Sequence, residues 1–270
     1  MSKSDSTVEA VVTASENQAL QPNWEDLHRY WSPHKYWHQP ISRTIVVGLS
    51  RLFLRVFNKL NIEGKERFDA LFDRGDRGLL TFGNHVSIID DPSLFVLFGV
   101  IRWQDTRWVG ADERNFFSNF VKGRIFTDGK GVPLVRGGGV GQRAMDFLSE
   151  RLQAGEWIHL FPEGGRTRDP KVRLRSPFKL GIGRLIAEAK PIVLPFYHYG
   201  MHQILPVGAR LPRVGHSVRL RFGEAVDTAA AHPEWFERPS DESLWREIAD
   251  WSQGVLRNLE LAVHPDPGEE

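Results

Sequence analysis

From residue 78 onward the chain alternates between two hydrophobic periods. Short apolar runs of strand type are GLLTFGN (78–84), TRWVGA (106–111), GVPLVR (131–136), WIHLFPE (157–163), IVLPFYH (192–198) and SVRLRFG (217–223). Stretches with helical spacing lie between them, at 92–101, 112–122, 140–154 and 178–189, and a last amphipathic helix is predicted over 242–262. Strand, helix, strand in succession predicts an α/β fold, a mainly parallel sheet flanked by helices. In such sheets sites form at the carboxyl ends of strands, so residues just past the apolar runs carry the search for chemistry. With no internal repeat and no interior linker, 61–262 reads as one domain, preceded by an arm at 24–60 and flanked by tails at 1–23 and 263–270.

The arm has its own pattern. Trp24, Tyr30, Trp31, Tyr36 and Trp37 crowd together with His28, His34 and His38. Rings with one polar edge suit a bilayer interface; they equally suit an arm packed on the core. In TIVVGLSRLFLRVFNKL (44–60), Arg51, Arg55 and Lys59 recur every four residues, while Val46, Leu49, Phe53, Val56 and Leu60 lie mostly elsewhere on the cylinder. Such a helix can lie in a bilayer interface or sit as an ordinary surface helix on a core. The tail has neither the apolar core of a secretory signal nor the Arg-rich face of a transit peptide. LFVLFGVI (94–101) is the most apolar run, well short of the roughly 18 residues a spanning helix needs.

Composition narrows the class. Hydrophobic residues make up 41% of the 270, enough for a sizeable core, which excludes bulk disorder. A net charge of +1 argues against a general nucleic-acid binder. The lack of cysteine removes disulfides, thiol catalysis and cysteine-ligated metals.

Three strand ends carry candidate chemistry. NHVSIIDDP (84–92) places His85 and Asp90 five residues apart, a separation that neither helix nor strand pairs but a turn can. With Pro92 at the first helical position and Asp91 as its cap, Asp90 could reach back to the imidazole, fix its tautomer and leave the other nitrogen as a base. GVPLVRGGGVGQ (131–142) ends a strand at Arg136, and glycines follow before a helix, which suits an anion. FPEGGRT (161–167) puts Glu163 at a strand end, followed by Arg166, Arg168, Lys171, Arg173, Arg175 and Lys179, a run that can hold lipid phosphate or an anionic bilayer. Each has an ordinary reading when taken alone: a turn histidine with capping aspartates, a glycine-rich turn, a solvated loop. A metal site lacks a third ligand at a recognisable spacing. No G-x-S-x-G elbow is present, which favours direct attack by a substrate hydroxyl over a serine acyl-enzyme.

In this order the motifs resemble the glycerolipid and lysophospholipid acyltransferase family: H-x-x-x-x-D at 85–90, the glycine-to-arginine block at 131–136, F-P-E-G at 161–164, and a later strand with proline at 191–195. Within it, NHVSIIDDP, GKGVPLVRGGGV, MDFLSERLQAGEWIHLFPEG and LGIGRLIAEAKPIVLPFYHYGM are similar to the tafazzin branch, over roughly 30–227. The resemblance implies an O-acyltransferase that remodels phospholipids, cardiolipin included, with His85 as general base and Asp90 as its orienter. Arg136 would bind the acceptor phosphate, and Glu163 and Gly164 the glycerol or headgroup. Asn84, Gly131 and Arg166, at the edges of the same blocks, are further substrate-binding candidates. No metal or other cofactor is expected. Tafazzins use a phospholipid donor without coenzyme A, but GRT after F-P-E-G departs toward the general enzymes, which leaves acyl-CoA-dependent 1-acylglycerol-3-phosphate acylation open. The expected partners are phospholipid, lysophospholipid and an anionic membrane surface, with no nucleic acid. The family is monotopic. That implies peripheral or monotopic association, at the cytoplasmic face of a bacterial inner membrane or at a mitochondrial membrane, through residues 24–60 and 92–103. A silent membrane-binding module is the rival of another class.

Overall fold

The computed structural model describes residues 24–33, 39–97 and 106–266. The expectations for the tail at 1–23, for Tyr36 and Trp37, and for 98–103 lie outside the described residues, as do the side chains of Phe95 and Leu97 in the proposed docking segment.

Among the described residues the sheet has eight strands: β1 (Lys59–Glu63), β2 (Leu79–Gly83), β3 (Trp108–Asp112), β4 (Gly131–Leu134), β5 (Trp157–Leu160), β6 (Ile192–Tyr199), β7 (Ser217–Phe222) and β8 (Val226–Asp227). Their order is β1-β7-β6-β2-β5-β3-β4, with β8 beside β6. β6, β2, β5, β3 and β4 run parallel, whereas β7 and β8 pair antiparallel with β6. Every residue of β2 and β5 is buried, which is why LLTFG and WIHL read as continuous apolar runs: a central parallel strand is covered on both faces.

The two faces divide by the strand period of two. One presents Leu80, Phe82, Ile158, Leu160, Val193 and Tyr197 to the main core. Over it lie α6 (Arg143–Gln153), α7 (Gly181–Ala189) and α10 (Glu242–Val263). The stripe Leu244, Ile248, Ala249, Ser252, Leu256 on α10 has the helical spacing that put this element in the sequence reading. The other face presents Leu79, Trp157, Leu194, Phe196, Leu220 and Phe222 to Phe68 and Leu94. The same period puts Thr81, His159 and His198 on this second face.

Several elements differ from expectation. The helix expected over 44–60 is α1 (Gln39–Arg55), and Lys59 already opens β1. Asn58 makes the break: its amide donates to Phe53 O at 3.0 Å and accepts from His216 N at 3.0 Å, ending the helix and tying the chain to the start of β7. The helix expected over 112–122 is split into α4 (Glu113–Phe116) and α5 (Phe120–Asp128), because Asp112 and Asn119 each cap a new helix through backbone N–H groups. The helix after the His85 turn, α3 (Asp90–Leu97), starts earlier than the expected 92. The remaining α-helices among the described residues are α2 (Lys65–Asp69), α8 (Met201–Ile204) and α9 (Thr228–Ala231). Of the two readings of the aromatic arm, Trp24 and Trp31 follow the packed one. Both rings meet Phe147 edge-on, at 5.4 and 5.2 Å, and Trp31 donates to Gly131 O at 2.6 Å from within the core.

α7 and α10 approach so closely at Gly183 that a Cβ there would lie 1.9 Å from Trp245 O. Gly183→Ala is therefore expected to destabilise by about 1–3 kcal/mol through overpacking. Thermal melting reads this, and an unchanged melting temperature would show that the two helices have slack.

Candidate active site

At the end of β2 the chain leaves the sheet, and Asn84 is its last anchor. Its side-chain amide donates to His198 O and accepts from His198 N, each at 2.9 Å, a side-chain rung that replaces the missing backbone ladder. The next residues curl. Asp90 Oδ2 lies 2.9 Å from His85 Nδ1 and accepts from Val86 N at 2.7 Å and Ser87 N at 2.8 Å. The turn thus pairs the two residues that regular structure would hold apart. Burial by itself would push the Asp90 carboxyl up. The imidazole of His198, then the hydrogen bond and charge of His85 and the Ser87 N–H, outweigh it and hold the carboxyl below its usual range. An ionised Asp90 requires a proton on His85 Nδ1, which leaves Nε2 as the nitrogen able to act as a base.

His85 is held from three more sides. Its backbone N–H donates to Glu163 Oε1 at 2.7 Å, its carbonyl accepts from Thr167 N at 2.8 Å, and its ring stacks on Phe161 at 4.2 Å. The side chain keeps 20% exposure, whereas that of Asp90 has none. Beneath Phe161 the second face of the sheet is polar along one file: Trp157 Nε1 donates to Thr81 Oγ1 at 2.8 Å, and Thr81 Oγ1 lies 2.9 Å from His159 Nδ1. Burial, then the charge of Arg107, hold the His159 imidazole well below its ordinary value, so it is neutral.

The other candidates divide. Glu163 is buried at the end of β5, with Oε1 taken by His85 N and Oε2 by Arg175 N at 2.9 Å. Both oxygens are spent on backbone, so Glu163 fixes the His85 loop and the 163–175 loop to each other. Gly164 follows at φ +69°, where a Cβ would also strike the Lys179 side chain. Arg166 is half-buried one residue before Thr167, beside the His85 turn. Arg136 stands past the end of β4 on the same edge of the sheet, three strands or roughly 14 Å across from β2. It is 67% exposed, with Nε 3.0 Å from Asp112 Oδ2.

Two candidates need correction. Gly131 begins β4, at the edge away from His85. Its carbonyl accepts from Trp31, and a Cβ would lie 2.9 Å from Phe126 O, so it is a packing glycine. Asn84 is buried, and its side-chain nitrogen and oxygen each bond the His198 backbone, so it anchors the turn and is not presented to substrate. Asp91 does more than cap a helix: it forms an ion pair with the buried Arg107, which also donates to Gly129 O at 2.8 Å.

Sequence reasoning missed Thr81, His159 and His198. The signal was the strand alternation itself, which puts His198 in register with the same face as Phe196 and Leu194. A cleft of about 350 Å³ opens beside the turn, between Val86, Thr167, Arg168, Val172, His202 and Pro206.

Because burial pushes the Glu163 carboxyl up to about 7, against the Arg175 and His85 N–H groups, the folded state favours its protonated form. The stability this contributes is full below the ordinary value of 4.5 and is lost as pH rises through about 7. Wild type should therefore lose up to about 3 kcal/mol across that window relative to Glu163→Gln. Denaturant unfolding at both ends of the window measures it; parallel pH profiles would show that Glu163 is already ionised at the lower end.

A protein-family profile described as Acyltransferase matches residues 59–199, from β1 to the end of β6 and including the whole His85–Glu163 arrangement. The chain is similar to tafazzin of Drosophila melanogaster, at 36% identity over 243 residues, 86% of this chain and 63% of that protein. It is also similar to the Dictyostelium discoideum protein named taffazin, at 34% over 194 residues and 67% of each chain. A third relative is the N-acylphosphatidylethanolamine synthase of Arabidopsis thaliana, at 35% over 226 residues, 75% of this chain and 79% of that protein. With its histidine–aspartate turn and F-P-E-G loop lying inside the matched segment, the chain belongs to the acyltransferase family.

Proposed function

We propose that this protein moves a fatty acyl group from a phospholipid to the hydroxyl of a lysophospholipid at a membrane surface. The observation that carries the reading is the 2.9 Å contact between His85 Nδ1 and a fully buried Asp90. His85 Nε2 takes the proton of the acceptor hydroxyl as its oxygen attacks the ester carbonyl of the donor. The tetrahedral intermediate then collapses, and the imidazolium returns the proton to the departing lysophospholipid oxygen. Asp90 stabilises the imidazolium and fixes the ring. Arg136 holds the acceptor phosphate, and the cleft beside Val86 and His202 accommodates part of a lipid. Arg166, next to the turn, keeps an acyl-CoA donor as the second reading.

The surface supports membrane docking. On α1, Ile45, Leu49 and Leu52 form one stripe that Val56, just past the helix end, continues; the four are 48–67% exposed, while Val47 and Leu54 on the opposite side are buried. A helix in water gains nothing from a second apolar face; a helix resting on lipid does. Ile88, in the catalytic turn itself, and Phe120, Val121 and Ile125 on α5 are exposed as well. No described helix is long and apolar enough to cross a membrane.

The central test supplies labelled lysophospholipids and phosphatidylethanolamine as acceptors, with phospholipid or acyl-CoA as donor, and identifies the product. The amine acceptor is included because the Arabidopsis relative is named for an N-acylated lipid. His85→Ala should lower kcat by about 10²–10⁴ with the fold intact; retention of more than about a tenth of the rate would refute the base assignment, whereas wild-type protein that binds vesicles but transfers no acyl group to any lysolipid would favour a silent binding module. Arg136→Ala should raise KM for the lysophospholipid more than it lowers kcat, and Arg136→Lys should restore only part. A normal KM with a low kcat would move Arg136 from binding to chemistry.

Docking has its own test. Replacing Ile45, Leu49 and Leu52 together by Ser should weaken sedimentation with anionic vesicles and lower activity, while circular dichroism and melting stay near wild type. High salt should remove only the electrostatic part of wild-type binding. A folded triple variant that binds and turns over normally would exclude α1 as the docking element.

A further inference from the structure

All three donors to Asp90 serve the same oxygen, Oδ2. Oδ1 is buried and has no hydrogen-bond partner among the described residues. The group that faces it is His198, whose Nε2 lies 3.8 Å away. Both ring nitrogens of His198 are likewise buried without a partner, and its side chain is 1% exposed. Two unpartnered polar atoms thus confront each other in a space closed to solvent. That is costly for a carboxylate oxygen unless a donor serves it. Closing the gap by about 1 Å would bring it to an ordinary hydrogen bond.

The surroundings allow little else. The backbone of His198 is gripped on both sides by the Asn84 amide, and Asn84 directly precedes His85, so β6 and the turn share one anchor. Phe196 lies on the same face, with its ring 6.4 Å from that of His198. Burial makes His198 reluctant to take a second proton, so it is a neutral imidazole with one N–H to give. It has no exposed edge with which to touch substrate.

We propose that His198 is a positioning residue for the acyl transfer, giving its Nε2–H to Asp90 Oδ1 so that one buried carboxylate is held between two imidazoles. His85 and the turn amides orient one oxygen, and His198 fixes the other. Rotation of the carboxylate away from His85 Nδ1 then breaks a bond on each side. The proposal rests on the reading of His85 and Asp90 as the catalytic pair.

The first test uses the wild-type protein labelled with ¹⁵N-histidine, with His198→Gln to assign the resonance. The nitrogen shifts should show His198 neutral with the proton on Nε2. A proton on Nδ1 overturns the proposal, because Nε2 would then present a lone pair to the carboxylate. The second test is a cycle of His198→Leu with Asp90→Asn. Alone, His198→Leu should lower kcat about tenfold or more at an unchanged KM, and His198→Gln, which keeps an N–H donor, should recover most of it. In the Asp90→Asn background the same change should cost almost nothing, since the group it acts through is gone. Equal fold losses in both backgrounds would show a merely structural role and overturn the inference. If His198→Leu does not fold, the tautomer decides. Activity surviving in His85→Ala would instead remove the catalytic reading itself, whatever the state of His198.

Discussion

A carboxylate taken wholly out of water must be met by donors, and Asp90 is met by three groups from its own turn. The Val86 and Ser87 amides point at it only if the chain curls tightly after β2, and the same curl carries the His85 ring over its Nδ1 contact. The charge and the turn therefore require each other. Glu163 acts as a second clasp: it is also buried, and it joins His85 N to Arg175 N across two loops. Its raised carboxyl shows the opposite balance. Asp90 gains enough from imidazoles and amides to stay ionised, whereas Glu163, with two amides, does not escape the cost of burial.

The sheet explains why these groups can sit so close to a core. One face is covered by α6, α7 and α10 in aliphatic and aromatic packing, and this face supplies the main core. The other carries a polar file in which Trp157 is served by Thr81, and Thr81 by the Nδ1 of His159. Phe161 then separates that file from the His85 ring by stacking on one and meeting the other edge-on. The result is an imidazole with one nitrogen committed and one face shielded. For a proposed general base this leaves a single direction from which a hydroxyl can approach.

Some of the exposed apolar positions lie near this open side. Ile88 belongs to the His85–Asp90 turn, and α1 packs against α3, which the turn begins. On the proposed function, a nonpolar rim beside His85 leaves a lipid hydroxyl only a short distance to travel from the bilayer.

Much was legible in the sequence because much of it is local. Continuous apolar runs marked the buried parallel strands, the 3.6-residue stripe marked α10, and the H-x-x-x-x-D, F-P-E-G and glycine-to-arginine blocks marked three strand ends on one edge. Other features depended on partners far along the chain. Asn58 could stop α1 only because His216 lies beside it. Gly131 looked like part of a binding block until Trp31 was seen to occupy its carbonyl. Asp91 looked like a cap because its partner Arg107 is sixteen residues away. The sequence alone determined the class of fold, the strand-end positions of His85, Arg136 and Glu163, and the local pairing of His85 with Asp90, since periodicity and turn chemistry act over a few residues. Only the tertiary structure decided which polar groups the buried Asp90 and His198 confront, because in a sealed interior a hydrogen-bond partner is chosen by proximity in space and not by distance along the chain.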